Sequence, residues 1–326
     1  MTRALRRGAT FVDHRAVALG LRFERPALLG FLFHAVFADR TEVESGQIHP
    51  QEALVEADFR RFVEHFLTAG YEFVSLTDVE AGLATTGRYV CVTFDDGYAN
   101  NLRVLGMLRE YDVPATIFVT TGNVEHRRRF WWDTLYAERR HRGASEEAID
   151  REIELLERTM QPEAILTYLE EAFGRDSVSA SSDLDRPLTT DEVKELAREP
   201  LITIGNHTRD HALLSRVTTD EIRDQIMAAQ AYLEALVDSP IRTIAYPDGD
   251  YDARVVEIAR ELGLVCGLTT VRRKEAVPPD QARLLELGRF QFERHADLET
   301  QLRVARSGIQ VGNAARRIRR RYARAR

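Results

Sequence analysis

Apolar runs alternate with amphipathic segments along most of the chain. Short continuous apolar runs are typical of strands that are buried on both faces of a parallel sheet. Residues 53–67 and 219–237 carry apolar side chains at helical spacing instead. Seven or eight strand–helix units over about 260 residues predict a parallel α/β barrel rather than an open sheet. The runs predicted to be strands are residues 28–36, 72–76, 89–94, 115–120, 201–205, 242–246, 265–269 and 284–290.

One long segment interrupts this alternation. Residues 124–200 contain no clear strand pattern and are predicted to form a mostly helical insertion in one βα connection. Insertions at the carboxyl-terminal face of a barrel often shape the substrate site. We therefore expect an N-terminal extension over residues 1–27, a barrel domain over residues 28–312 that includes the insertion, and a basic tail over residues 313–326.

Polar side chains suited to catalysis follow the ends of several predicted strands. Asp95 and Asp96 come directly after the run at 89–94, and His207 and His211 follow another run. In a parallel barrel these strand ends open onto one face, so the side chains should meet. Each motif alone has a simpler explanation, a turn for Asp-Asp-Gly and a solvated helix face for the histidines. Together they predict a divalent metal site with one carboxylate left for proton transfer.

These residues fit the motifs of a known family. Residues 93–97 match T-F-D-D-G, and residues 207–211 match H-[ST]-x-x-H. Residues 244–249 resemble F-x-Y-P-x-G, and residues 33–36 resemble the first-strand motif Y-H-x-V. Over residues 28–292 the chain thus resembles the polysaccharide deacetylases with a NodB-homology domain, a carbohydrate esterase family. The resemblance implies a distorted (β/α)7-type barrel and metal-dependent removal of acyl groups from sugars.

The resemblance also implies roles for the matched residues. Asp95 would be the general base. The backbone N–H of Asp248, which follows Pro247, would help to hold the oxyanion of the tetrahedral intermediate. The metal would be zinc as first choice, with cobalt, nickel and others as alternatives. Three residues are implied as ligands of this one divalent ion: Asp96, His207 and His211.

Two features that are common in the family are missing here. Many members carry an arginine in the third motif that orients the base, and we expect Tyr246 or a neighbour to replace it. Many members also have a late histidine as general acid, but residues 285–289 contain none. His34, at the end of the first predicted strand, is therefore the predicted acid. A merely packed histidine is the alternative for this position, and His295 is the rival acid.

Two tryptophans stand out within the predicted insertion. Trp131 and Trp132 follow three arginines, with Phe130 in between. Aromatic rings stack on sugars and arginines bind phosphates, so these tryptophans, together with Tyr246 and Pro247, are predicted to bind a glycoconjugate substrate. The alternative is that both tryptophans pack the insertion against the barrel.

Charge is spread unevenly along the chain. The formal net charge is −7, yet the last fourteen residues hold seven arginines and no acidic residue. Without them, 38 basic residues face 52 acidic ones, a net charge of −14. A body this acidic is not expected to bind nucleic acid. The tail is a candidate for peripheral contact with an anionic membrane, with a solvated, disordered tail as the alternative.

The expected location and function follow from these observations. No apolar run approaches the roughly 20 residues that span a bilayer, and we identify no secretory signal, so a cytoplasmic protein is expected. The predicted activity is metal-dependent N-deacetylation of a nucleotide-linked, lipid-linked or small amino-sugar conjugate. One alternative is an N-deformylase of a lipid-linked amino sugar. Another is a catalytically idle, glycan-binding barrel. The sequence does not identify the sugar, the acyl group or the oligomeric state.

Overall fold

The computed structural model describes residues 14–308 of the protein. The predicted basic tail at residues 313–326, and with it the predicted membrane contact, lies outside the described residues. The described residues divide into two compact units, Pro26–Ala296 and a smaller unit that combines residues 14–25 with residues 297–308. Within the described part of the chain, no helix is both long and apolar enough to cross a membrane.

The larger unit is a nearly closed barrel of parallel strands. Its hydrogen-bonded order is β7-β6-β5-β4-β3-β1-β8, and the two-residue strand β2 pairs with β3 outside this order. The two ends of the order approach each other where Leu268 of β7 pairs with Leu287, just before β8. This arrangement confirms the predicted (β/α)7-type barrel. The strands are β1 (Ala27–Phe33), β2 (Glu72–Phe73), β3 (Arg88–Phe94), β4 (Ala115–Val119), β5 (Ile202–Asn206), β6 (Thr243–Ala245), β7 (Cys266–Leu268) and β8 (Arg289–Gln291).

Helices occupy most of the connections between these strands. In the smaller unit, helix α1 packs against helix α13, and Arg306 forms an ion pair with Glu24 at 3.0 Å. The helices are α1 (His14–Arg22), α2 (Arg40–Ser45), α3 (Glu56–Thr68), α4 (Leu76–Ala81), α5 (Leu105–Tyr111), α6 (Thr121–His126), α7 (Trp131–His141), α8 (Glu146–Thr159), α9 (Pro162–Phe173), α10 (Thr190–Leu196), α11 (Thr219–Val237), α12 (Ala253–Glu261) and α13 (Leu298–Ser307).

The apolar pattern explains why these elements form and pack. Every residue of β1 and of β4 is buried, as expected for strands covered on both faces of a parallel sheet. Helix α3 buries a phenylalanine-rich face, and its Phe62 ring lies 4.9 Å from Phe31 and 5.1 Å from Phe33 of β1. Between β4 and β5 the chain forms α6 to α10, which is the helical insertion that the sequence predicts.

Two predicted boundaries differ from the structure. The first three residues of the strand predicted at 284–290 belong to a 3₁₀ turn, Gln281–Glu286, because Asp280 accepts a hydrogen bond from the N–H of Ala282 and starts the turn. The helix predicted from residue 53 begins at Glu56 instead. The N–H of Phe37 donates to the carbonyl of residue 54, and its carbonyl accepts from Glu56, so this stretch pairs with another segment before the helix begins.

Candidate metal centre and active site

Three side chains with metal-binding atoms meet at the carboxyl ends of β3 and β5. The ligand atoms of Asp96, His207 and His211 all lie within 4.8 Å of one another. Oδ1 of Asp96 is 3.3 Å from Nε2 of His207 and 3.5 Å from Nε2 of His211. The fold thus brings together the three residues that the sequence analysis assigns to a metal ion.

The chemistry of this cluster fits a divalent cation. Asp96 is 1% exposed, and neither of its carboxylate oxygens has a hydrogen-bond partner of good geometry. A buried carboxylate without partners is costly unless a cation neutralises it. Two imidazole nitrogens with one carboxylate oxygen form a donor set that zinc takes in catalytic sites. The cluster therefore has the composition and the charge of a metal site.

The protonation states of these groups also suit metal binding. Burial alone would raise the pKa of Asp96, but the imidazoles of His207, His34 and His211 bring it down to about 2. Burial lowers the pKa of His211 to about 4, because its effect is larger than that of the Asp96 charge, which raises this pKa. At neutral pH Asp96 is ionised and His211 is neutral, which are the forms that bind a cation.

Helix α11 fixes the loop that carries the two histidines. Thr208 and His211 have φ angles of 63° and 55°, in the left-handed region that is unfavourable for residues other than glycine. The side chain of Asn206 accepts a hydrogen bond from the N–H of Thr208 and donates one to a backbone carbonyl of α11. Gln225 of the same helix forms two more hydrogen bonds with Asp210, at 2.9 and 2.8 Å. These contacts hold the strained loop in place.

The two histidines differ in what holds their rings. Nδ1 of His207 lies 2.8 Å from the carbonyl oxygen of Ala245. Because a carbonyl can only accept, the ring hydrogen is on Nδ1 and Nε2 is left to bind a metal. His211 has no such support, since its Nδ1 is buried without a hydrogen-bond partner. Its ring packs instead against that of Trp132, with a centroid distance of 4.8 Å.

The second carboxylate, Asp95, is held by a buried arginine. Nη1 and Nη2 of Arg289 donate to the two oxygens of Asp95 at 2.7 and 2.8 Å. Arg289 also donates to Thr93 and to the carbonyl of Thr269, and its side chain is fully buried. Burial raises the pKa of Asp95, but the charges of Arg289 and His207 overcome this and hold it below its usual value. Asp95 is therefore an ionised carboxylate with a fixed orientation, 4.0 Å from Nε2 of His207.

The partner of Asp95 corrects one expectation from the sequence. Tyr246 was expected to replace the missing arginine of the third motif, but its hydroxyl donates to the carbonyl of Leu285 at 2.9 Å, and its ring stacks on Tyr251. Tyr246 is also fully buried, which leaves it no surface for a substrate. The arginine comes from β8 instead. The available signal was an arginine, Arg289, placed within a predicted apolar strand.

His34 lies one residue after β1 and is paired with a buried acid. Its Nδ1 is 2.8 Å from Oε1 of Glu52, and Gln291 donates to the same oxygen at 2.7 Å. Burial lowers the pKa of His34, but Glu52, Asp96 and Asp95 together raise it to about 9. His34 is therefore an imidazolium at neutral pH. The charge of His34 thus interacts with those of Asp95 and Asp96, and its role as the acid stays a prediction.

Glu52 is a site residue that the sequence analysis missed. Its side chain is 1% exposed, and Oε2 has no hydrogen-bond partner. The residues on both sides, Gln51 and Ala53, have φ angles of 46° and 52°. A strained loop thus places the Glu52 carboxylate against Nδ1 of His34. No sequence motif identifies Glu52 as a site residue.

The two tryptophans of the insertion are interior residues. Trp131 and Trp132 are each 6% exposed and belong to a hydrophobic cluster of the insertion. Trp132 stacks on Phe130, and its Nε1 donates to the hydroxyl of Tyr98 at 2.8 Å. This burial corrects the predicted role as a sugar platform and favours the packing alternative.

The remaining predicted site residues, Pro247, Asp248 and His295, differ in how far they are exposed to solvent. Pro247 is buried and Asp248 is exposed, in the short turn Pro247–Gly249 after β6. Burial and the charges of Asp248 and Asp96 raise the pKa of Glu157, in helix α8 of the insertion, to about 8. The side chain of His295, the rival acid, is 80% exposed and lies 3.8 Å from Glu146.

Comparison with known proteins supports the family resemblance. The sequence model for the polysaccharide deacetylase family matches residues 82–267. YxkH of Bacillus subtilis (strain 168), a polysaccharide deacetylase homologue, is 20% identical over 257 residues, which cover 77% of this chain and 67% of YxkH. Arg289, His34 and Glu52 lie outside the matched segment.

Solved structures share the fold. The Streptococcus pyogenes deacetylase PplD, solved in complex with acetate, is similar with a TM-score of 0.57 and 19% identity, over 85% of this chain and 97% of PplD. IcaB from Ammonifex degensii is similar with a TM-score of 0.58 and 18% identity, over 87% of this chain and 98% of IcaB.

Proposed function

Because the chain belongs to the polysaccharide deacetylase family, we propose that it is a metal-dependent N-deacetylase of an amino sugar. The observation that carries the proposal is the pairing of the metal-binding cluster around Asp96 with a second, ionised carboxylate, Asp95, held by Arg289. A barrel that only bound glycans or retained a metal would not need this buried pair. The pair therefore argues against the catalytically idle alternative.

In the proposed reaction each residue has one task. Asp96, His207 and His211 would hold a divalent cation, which would supply Lewis acidity to polarise the acyl carbonyl and to lower the pKa of water. Asp95 accepts the proton of the attacking water, and Arg289 keeps Asp95 ionised and oriented. His34, as an imidazolium, donates a proton to the departing amine nitrogen. The backbone N–H of Asp248 is the proposed additional donor to the oxyanion.

The proposed substrate is an N-acetylated amino sugar linked to a nucleotide, a lipid or another small group. The family membership favours an acetyl group over a formyl group. The proposed location is the cytoplasm, with peripheral contact of the arginine-rich tail to the inner face of an anionic membrane. The tail's charge supports this contact, since each arginine near such a surface contributes about 1 kcal/mol.

One assay tests the activity against both alternatives. The purified protein is incubated with zinc, cobalt or nickel, or with a chelator, on a panel of N-acetyl and N-formyl sugars in free, nucleotide-linked and lipid-linked form. Metal-dependent release of amine with acetate supports the proposal. Release of formate alone identifies a deformylase. Sugar binding without any released amine identifies an idle glycan-binding barrel.

Replacing His211 with alanine is expected to lower the affinity for zinc by more than about tenfold, because one of three ligands is lost. Titration of the metal-free protein with zinc against a chromophoric chelator measures this. His295→Ala is the control, since its exposed ring lies outside the cluster, and its affinity should be unchanged. Wild-type zinc affinity in His211→Ala would contradict the ligand assignment.

Replacing Glu52 with glutamine is expected to move the alkaline limb of the pH–rate profile to lower pH. The raised pKa of His34 means that the active imidazolium is present below about pH 9 and is lost as the pH rises through that value. Removing the Glu52 charge lowers the pKa of His34, and one adjacent opposite charge typically shifts a pKa by about 1–3 units.

The control is Gln291→Leu, which removes a neutral partner of the same Glu52 oxygen. Its alkaline limb should stay close to that of the wild type. An alkaline limb that is identical in Glu52→Gln and the wild type would show that His34 is not the group that titrates.

A further inference from the structure

We propose that the helical insertion is part of the metal centre, and that Trp132 positions the ligand His211 by ring packing in place of a hydrogen bond. The inference rests on the proposed metal-binding function and adds a positioning residue to it. In this proposal Trp132 supports a metal ligand and does not bind the sugar.

The starting observation is an asymmetry between the two histidine ligands. Metal-bound histidines almost always donate their second ring N–H to a carboxylate, a carbonyl or water, and this contact fixes the ring orientation. His207 has such a contact with Ala245, at 2.8 Å. Nδ1 of His211 has none, although it is buried. The orientation of His211 must therefore come from what its ring packs against.

The indole of Trp132 is an aromatic group that contacts the His211 ring from outside the metal cluster. The ring centroids are 4.8 Å apart, and the planes are tilted by 55°. The imidazole of His207 touches His211 as well, at 5.0 Å and 72°, but it belongs to the same metal cluster. Trp132 is thus the neighbour that can hold the ring from outside the cluster.

Trp132 is itself held rigidly by a buried chain of hydrogen bonds. Its Nε1 donates to the hydroxyl of Tyr98, and that hydroxyl donates to Oδ2 of Asp133, each at 2.8 Å. Oδ1 of Asp133 accepts from the backbone N–H of His49 at 2.8 Å. Tyr98 and Asp133 are both completely buried. An indole fixed in this way can restrict the rotation of His211 before a metal binds, so less rotational freedom is lost on binding.

The chain offers a matched control in the neighbouring residue. Trp131 is in the same helix, is 6% exposed like Trp132, and belongs to the same hydrophobic cluster. Its ring lies edge-on to Trp132 at 5.5 Å, and among residues 14–308 it has no ring contact with His211. Trp131→Leu and Trp132→Leu therefore remove the same kind of side chain from one core, but only the second removes the contact with a ligand. Trp132→Leu also removes the hydrogen bond to Tyr98, and Trp132→Phe, which loses the same bond but keeps a ring, controls for that loss.

The experiment measures zinc affinity and metal-free stability in parallel. Zinc alone is titrated into the wild type, Trp131→Leu, Trp132→Leu and Trp132→Phe, and thermal unfolding is recorded in chelator. We expect both leucine variants to lose stability, Trp132→Leu the more because it also loses the hydrogen bond to Tyr98. Only Trp132→Leu should bind zinc about tenfold more weakly, the lower end of the range for a lost supporting contact. Trp132→Phe keeps a ring against His211, so its affinity should lie near that of the wild type.

Other outcomes overturn the inference in distinct ways. Equal weakening in both leucine variants would mean that the insertion acts only through general packing. Unchanged affinity in Trp132→Leu would mean that His211 needs no support, while the proposed function would stand. A wild-type protein that binds no zinc, cobalt or nickel would remove the proposed function itself.

A second measurement does not require a folded variant. In the NMR spectrum of the zinc-bound wild type, the ring protons of His211 should show an upfield shift from the Trp132 ring current. Loss of this shift when zinc binds would show that His211 leaves Trp132 to reach the metal, which would overturn the inference.

Discussion

Replacing Asp95 with asparagine is expected to lower turnover by about 10²–10⁴-fold, the usual contribution of a general acid or base. The amide cannot accept the proton of water, whereas the three atoms assigned to the metal remain in place. Zinc affinity should therefore stay within a few-fold of the wild type. Turnover on the best substrate of the panel and the zinc titration, performed on the same preparation, measure the two effects.

The adjacent residue is the control for this prediction. Asp96→Asn should lose zinc, because Asp96 is the carboxylate closest to both imidazoles, at 3.3 and 3.5 Å. If Asp95→Asn loses zinc while Asp96→Asn retains it, the two carboxylates have the opposite roles. Full turnover in Asp95→Asn would exclude it as the base.

Replacing Arg289 with methionine is expected to destabilise the protein by about 3–5 kcal/mol, the usual cost of removing one partner of a buried ion pair. Asp95 would keep its burial but lose both hydrogen bonds from the guanidinium. The pKa of Asp95, which Arg289 holds down, would rise. The acidic limb of the pH–rate profile should therefore move to higher pH. Chemical denaturation and pH–rate profiles measure the two effects.

A double variant separates the two effects of Arg289. Asp95→Asn combined with Arg289→Met leaves no unpaired charge, so it should be more stable than Arg289→Met alone. Its turnover should remain as low as that of Asp95→Asn, because the base is missing. A double variant no more stable than Arg289→Met would show that the lost stability comes from packing of the arginine and not from the unpaired, buried charge of Asp95.

The metal cluster could be predicted from the sequence because its residues lie at the ends of recognisable strands. The runs before Asp95 and His207 are buried strands, and parallel strands bring their carboxyl ends to one face. His34 follows β1 for the same reason. The local sequence pattern and the predicted fold class were together enough to predict that these side chains lie close to one another.

The supporting residues could not be predicted in the same way. Arg289 is 194 positions from Asp95, and its pairing depends on β8 lying beside β1, which in turn pairs with β3 in the barrel. Glu52 depends on a loop whose conformation departs from its sequence pattern. The stretch from residue 53 looks helical, yet Ala53 adopts a left-handed backbone because the next residues pair with Phe37.

Residues whose backbone is in the left-handed region show where this fold contains backbone strain. Nine described residues other than glycine have a positive φ, and three of them, Asp112, Arg127 and Asp238, end helices. The other six all lie in the candidate site: Gln51, Ala53, Asp96, Thr208, His211 and Asp248. Each costs on the order of 1 kcal/mol or more relative to a relaxed backbone. Selection for heat resistance alone would therefore favour glycine at these six positions, and the side chains of the site would be lost. Only continued selection for activity would preserve these residues.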